Sequence, residues 1–169
     1  EEASPGYYRV LLADRIEVEL GATRRCGVQR YDHLETDSVL VILDLGYGQD
    51  DKPTGSRLTV VSDTLITGYR YSSGWAARQR VYFAMAFSRP LKKWRGIDGG
   101  WQGPSGSVEA KAVLAALHFG STDVGNELLI RTGLSSVSED GALANLRAEA
   151  PHGDFVRYRR EAREAWNRE

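Results

Sequence analysis

Three tryptophans, Trp75, Trp94 and Trp101, stand in or beside stretches rich in glycine and polar residues. Trp75 follows Ser73-Gly74, and the segment Arg95–Ser107 is dominated by glycine, with Trp94 at its border and Trp101 inside it. A broad apolar ring offered from a polar loop can hold the C–H face of a sugar, while Arg and Asp side chains hydrogen-bond the hydroxyls. Arg95 and Asp98 stand beside Trp94 and Trp101 in the order such work needs. These five residues are the candidate substrate-binding set. The commoner use of such rings is as anchors, packed down onto the fold or against another domain.

Other chemistries find less support. Cys26 lies between Arg25 and Gly27, and a neighbouring cation favours thiolate, yet its place in an alternating stretch reads as a small core side chain. The three histidines, His33, His118 and His152, occupy unrelated segments without ligand-like spacing. Asp50 and Asp51 could offer oxygens to Ca²⁺, but the regular spacing and closing bidentate Glu of an EF-hand are missing, so a solvated turn is expected. Gly46-Tyr47-Gly48 lacks the spacing that cradles phosphate. No nucleophile stands beside a base, and no pair of carboxylates stands out as a general acid and base. No catalytic residue and no metal ligand is assigned.

The elements that must position these residues read as strands. From Tyr7 to about Leu134 apolar residues recur with period two. In Arg15-Ile16-Glu17-Val18-Glu19-Leu20 every second side chain is aliphatic and the others are charged, which puts one face on a core and the other in water. Further strands are expected at Tyr7–Ala13, Arg25–Tyr31, Ser38–Asp44, Arg57–Ser62, Thr64–Tyr71, Gln79–Ser88, Ala112–Phe119 and Glu127–Leu134. Val81, Phe83, Met85 and Phe87 share one face, with Tyr82, Ala84 and Ala86 opposite, so this strand should lie centrally and be covered on both sides. Gln49–Ser56 and Arg95–Ser107 are expected as surface loops. Short strands joined by Gly- and Asp-containing turns predict a mainly β fold, an antiparallel β-sandwich with C-terminal helices.

The period changes near Ser138, which leads into a short helix over Ala142–Glu149 with acidic residues at its start. Asp154 is placed to cap a second helix, whose Phe155, Tyr158, Ala162, Ala165 and Trp166 form one apolar stripe. The predicted division is a β-sandwich over 1–137 and a helical linker over 138–169. A helix running unstopped into Glu169, and a start without Met, lead to the expectation of a piece cut from a longer chain.

Composition sets outer bounds. At 169 residues, 41% hydrophobic and 27% charged, the chain suits one globular domain. A formal net charge of −1 gives no general attraction to nucleic acid. The longest apolar runs, Val39–Leu43 and Ala112–Leu117, are far shorter than the roughly 20 residues that span a bilayer, so no membrane span is expected.

Several segments in one order resemble glycoside hydrolase family 92, the calcium-dependent exo-acting α-mannosidases. They are Ala3-Ser4-Pro5-Gly6-Tyr7-Tyr8, Ile16–Gly27, Gln29-Arg30-Tyr31, Leu43-Asp44-Leu45-Gly46, Ile66–Arg70, Ser73-Gly74-Trp75 and Val81–Pro90. Gly133–Ser138, Gly141-Ala142, Asn145-Leu146, Glu149 and Trp166-Asn167 continue the likeness to the end. The resemblance implies part of an N-terminal β-sandwich, incomplete at its own start, joined through helices to a missing (α/α)6 catalytic domain. It implies hydrolysis of mannosides in mannose-containing glycans with inversion, α-1,2 linkages foremost, in a secreted or periplasmic setting. It places the acid, the base and the calcium ligands outside this chain, which alone would be inactive. A non-catalytic carbohydrate-binding or interface β-sandwich is the alternative.

Overall fold

Side-chain alternation in the segment Gln79–Phe87 sends Phe83, Met85 and Phe87 into one core and Tyr82, Ala84 and Ala86 into another. Val81, near the strand's start, lies beyond both cores and is exposed. The arrangement comes from a computed structural model that describes residues 1–13, 16–32, 38–120 and 127–168. Its strands are β1 Glu2–Ser4, β2 Tyr7–Leu11, β3 Glu17–Ala22, β4 Cys26–Asp32, β5 Ser38–Asp44 and β6 Lys52–Ser62. They continue with β7 Leu65–Ser73, β8 Gln79–Phe87, β9 Leu91–Gly96, β10 Gly106–Ala110, β11 Leu114–Gly120 and β12 Leu128–Ser135. Two helices follow, α1 Glu139–Glu149 and α2 Phe155–Trp166.

All pairings are antiparallel. The large sheet runs β1-β2-β3-β4-β12-β8-β7-β6-β10, and a small sheet, β5-β11-β9, lies over one of its faces. Between the sheets, Leu58, Ile66, Phe83, Phe87, Leu128 and Ile130 meet Leu91, Trp94, Leu117 and Phe119. On the opposite face, Val28, Ala84 and Leu129 meet Ala142, Leu146, Phe155 and Tyr158 of the helices. The molecule is thus a β-sandwich with a helical third layer.

Two expected loops contain strands. β6 begins at Lys52 rather than near Arg57, with Pro53 and Gly55 absorbed by an irregularity in its pairing with β7. Gly106–Ala110 adds β10 as an edge strand beside β6. β9 was hidden because Lys92-Lys93-Trp94-Arg95 does not alternate, and its register against β11 shifts between His118 and Phe119.

Helix α1 starts where Ser138 accepts a hydrogen bond from Gly141 N at 3.0 Å, with Glu139 and Asp140 at the positive end of the helix dipole. It lies close on β12 because Gly133 has no side chain: a Cβ there would fall 2.4 Å from Ala142 O and 2.8 Å from Leu146 Cβ. Asp154 caps α2 by accepting from Arg157 N at 3.1 Å. The stripe on α2 is covered only in part: Phe155, Tyr158 and Ala162 are buried, whereas Ala165 and Trp166 remain exposed.

The helical layer overturns the expected wet face of β3. Glu19 is buried, since α2 covers that side of the strand. Tyr7 donates to Glu19 Oε1 at 2.6 Å, and Arg30 forms an ion pair with the same carboxylate while its guanidinium lies 5.4 Å from the Phe155 ring centroid. Burial first, and then the hydrogen bond to Glu19, push the Tyr7 hydroxyl up to about 12.

Candidate functional site

The glycine-rich segment after β9 folds back along that strand. Trp94 N donates to Gln102 O at 3.1 Å and Gln102 N returns a bond to Trp94 O at 2.7 Å. Trp94 itself is 0% exposed, and its indole Nε1 donates to Ser105 O at 3.2 Å. Its expected place as a loop-borne ring is therefore corrected: β9 carries it into the core between the sheets.

Neighbouring side chains on a strand point to opposite faces, so Lys93 and Arg95 point outward where Trp94 points in. Trp101, 44% exposed, lies beside both cations. Lys93 Nζ is 4.7 Å and the Arg95 guanidinium carbon 5.0 Å from its ring centroid. His118 stands opposite Lys93 on β11 and meets the indole edge-on, with centroids 6.1 Å apart. Asp98 is exposed in the adjoining turn, which Gly99 N closes by donating to Gly96 O at 2.9 Å. Trp75 is 100% exposed between β7 and β8. Of the five candidates, the structure brings Arg95 and Trp101 together and puts Asp98 on the next turn.

A concavity of about 800 Å³ opens between α2 and the β3–β4 turn, lined by Gly6, Thr23, Arg25, Glu149, Ala165 and Trp166 among others. Glu149 is its central carboxylate. It accepts from Thr23 Oγ1 at 2.6 Å, from Arg25 N at 2.9 Å and from Arg25 Nε at 2.6 Å. Burial would raise its pKa, but these hydrogen bonds more than offset burial and hold it below the usual carboxylate range. Glu161, also lining the groove, pairs with Arg157 at 2.7 Å. The lowered pKa of Glu149 is the opposite of what a proton-donating acid needs.

Sequence reasoning gave no sign of this groove, whose parts come from both ends of the chain. The remaining candidates are structural. The thiol of Cys26 is buried, donates to Asn145 O at 3.4 Å, and is pushed up by that burial. Asp51 takes a two-pronged bond from Arg70, at 2.7 and 2.8 Å, which holds its carboxyl at about 2. Its oxygens are taken up by the Arg70 guanidinium. His152 stacks on Tyr158 with centroids 4.0 Å apart, and His33 lies outside the described residues. Among the described residues no three His, Cys, Asp or Glu side chains gather to hold a metal. Also among the described residues, no helix is long and apolar enough to cross a membrane.

The whole chain is similar to solved α-mannosidases. It is 29% identical to the family GH92 α-mannosidase BT3965 from Bacteroides thetaiotaomicron, with a TM-score of 0.87, covering 100% of this chain and 24% of that one. The same enzyme is also known in complex with mannoimidazole. Against the family GH92 inverting mannosidase BT2199 from the same organism, identity is 28% and the TM-score 0.83, covering 99% of this chain and 22% of that one. This chain spans about a quarter of the length of these enzymes. No curated protein matches it. The model of the glycosyl hydrolase family 92 N-terminal domain matches residues 1–135, which is the run from the first residue to the end of β12, and the chain belongs to that family.

Proposed function

We propose that this chain forms the N-terminal β-sandwich of an exo-acting α-mannosidase that cleaves mannose-containing glycans with inversion, α-1,2 linkages foremost. The observation that carries this reading is the likeness of the entire chain to the mannosidase BT3965, at 29% identity and a TM-score of 0.87. In an inverting hydrolysis, one carboxylic acid gives a proton to the departing glycosidic oxygen while a carboxylate takes one from the attacking water. Both groups, and the ligands of a calcium ion, are proposed to come from a helical (α/α)6 domain outside this chain. Residues 138–169 lead toward that domain, and the sandwich serves as frame and pocket wall. The unshared apolar end of α2, Ala165 and Trp166, supports the idea of a further packing partner. A secreted or periplasmic location belongs to the same proposal.

The test is to express the chain together with the coding sequence that flanks it and to follow mannose release from α-1,2-mannobiose by NMR, with and without a calcium chelator. Release of β-mannose as the first product, abolished by chelation, is expected. A longer protein that binds mannosides and never cleaves them would overturn the reading.

A further inference from the structure

We propose that Lys93, Arg95 and Trp101 form a binding site for an anionic sugar, a pyranose bearing a carboxylate, phosphate or sulfate group. The inference uses only atoms of this chain and stands apart from the mannosidase reading.

Charge provides the first argument. Several arginines elsewhere in the molecule are matched to acids, Arg25 to Glu149, Arg57 to Glu139, Arg70 to Asp51 and Arg9 to Glu17, while Arg80 faces the Tyr71 ring and Arg131 donates to backbone carbonyls. Among the described residues, neither Lys93 nor Arg95 has an acid within ion-pair distance, and both face the Trp101 ring instead. A ring face steadies a cation without neutralising it, and its hold on N–H donors is weak. Two positive charges are therefore fixed side by side with donors to spare. An oxyanion is the group that such a pair recognises.

Shape adds to charge. The indole of Trp101 is 44% exposed, and the backbone next to it is fastened to β9 by the paired bonds between Trp94 and Gln102. The ring is thus prearranged and loses little freedom on binding. Leu40, opposite His118 on β5, is exposed and extends the platform with an apolar patch. An aromatic face suits the C–H side of a pyranose, and Asp98 on the adjoining turn offers an acceptor for hydroxyls. One ring and two cations match a single charged sugar unit. A net charge of −1 for the chain argues against a long polyanion spread over a basic face.

The experiment follows the indole N–H resonances of this chain by NMR during titration with glucuronate, glucose 6-phosphate, inorganic phosphate and neutral methyl glucoside. The Trp101 resonance, assigned with Trp101→Phe, is expected to shift saturably with the two charged sugars, more weakly with phosphate, and not with the neutral sugar. Affinity should fall roughly tenfold or more in a Lys93→Gln/Arg95→Gln double variant whose remaining spectrum is unchanged, as expected for lost charge-assisted bonds. An unmoved Trp101 resonance, equal binding of the neutral sugar, or undiminished binding by the double variant would each overturn the proposal. Phosphate binding as tightly as glucose 6-phosphate would overturn the part assigned to the ring. A response to glucuronate alone, or to the sugar phosphate alone, would identify which anion the site takes.

Discussion

Arg25 and Glu149, 124 residues apart in sequence, are joined twice: the Arg25 backbone N–H and its side-chain Nε each donate to one oxygen of the Glu149 carboxylate, at 2.9 and 2.6 Å. With Thr23 adding a third bond at 2.6 Å, the β3–β4 turn is fastened to the end of α1. Glu149→Gln keeps the shape and removes the charge. It is expected to lower unfolding free energy by about 1–2 kcal/mol, because hydrogen bonds to charged groups contribute on that order. Urea denaturation monitored by circular dichroism measures this, and an unchanged midpoint would show that the clamp is idle.

The contact between α1 and β12 leaves no room at residue 133. Gly133→Ala should force the helix outward and cost about 2 kcal/mol, in the range of overpacked cores. A variant with wild-type stability would mean that the two elements are packed more loosely than described.

Two tryptophans from the same candidate set should behave oppositely. Trp94→Ala removes a fully buried side chain and should cost about 3–5 kcal/mol, while Trp75→Ala should change stability by less than about 0.5 kcal/mol. Thermal unfolding of the two variants side by side gives the comparison.

Acid sensitivity follows from Asp51. Its folded pKa, about 2, lies below the ordinary value, so the folded state binds this proton less readily than the unfolded chain. Stability from the Arg70 pair is present above the unfolded value, near 4, and is lost as pH falls from there through about 2. Asp51→Asn should flatten that part of the stability–pH curve. Equal acid slopes for the two proteins would remove Asp51 from the account.

Cys26 should react slowly with a thiol reagent at neutral pH and rapidly once the chain is unfolded, since burial disfavours its thiolate. Fast labelling of the folded protein would contradict the packing around Asn145.

Legibility in the sequence followed locality. The two faces of β8 could be read from Val81–Phe87 because both cores act on one short run, and the caps Ser138 and Asp154 sit within three residues of the amides they bind. Glu19 misled because alternation reports only that faces differ. What covers a face is settled by α2, at the far end of the chain. Trp94 and Trp101 looked alike as aromatics beside a glycine-rich segment. Their separation into core and surface depended on β9, whose pattern is broken by the register shift opposite His118 and Phe119. The cations beside Trp101 stand two residues apart on β9, yet only the return of the loop over that strand puts the ring beside them.

The position of β12 has a consequence for biosynthesis. Among the described strands it comes last in sequence, yet it sits between β4 and β8 and is hydrogen-bonded to both. A ribosome that has not yet released residues 128–135 holds two half-sheets with raw facing edges, and such edges recruit strands from other chains. The β1–β4 unit and the β8-β7-β6-β10 unit are each local and can form early, but neither half can be sealed to the other until the end of the domain emerges. Any cut upstream of Leu128 should therefore convert a folding chain into an aggregating one, however many of the other strands it retains.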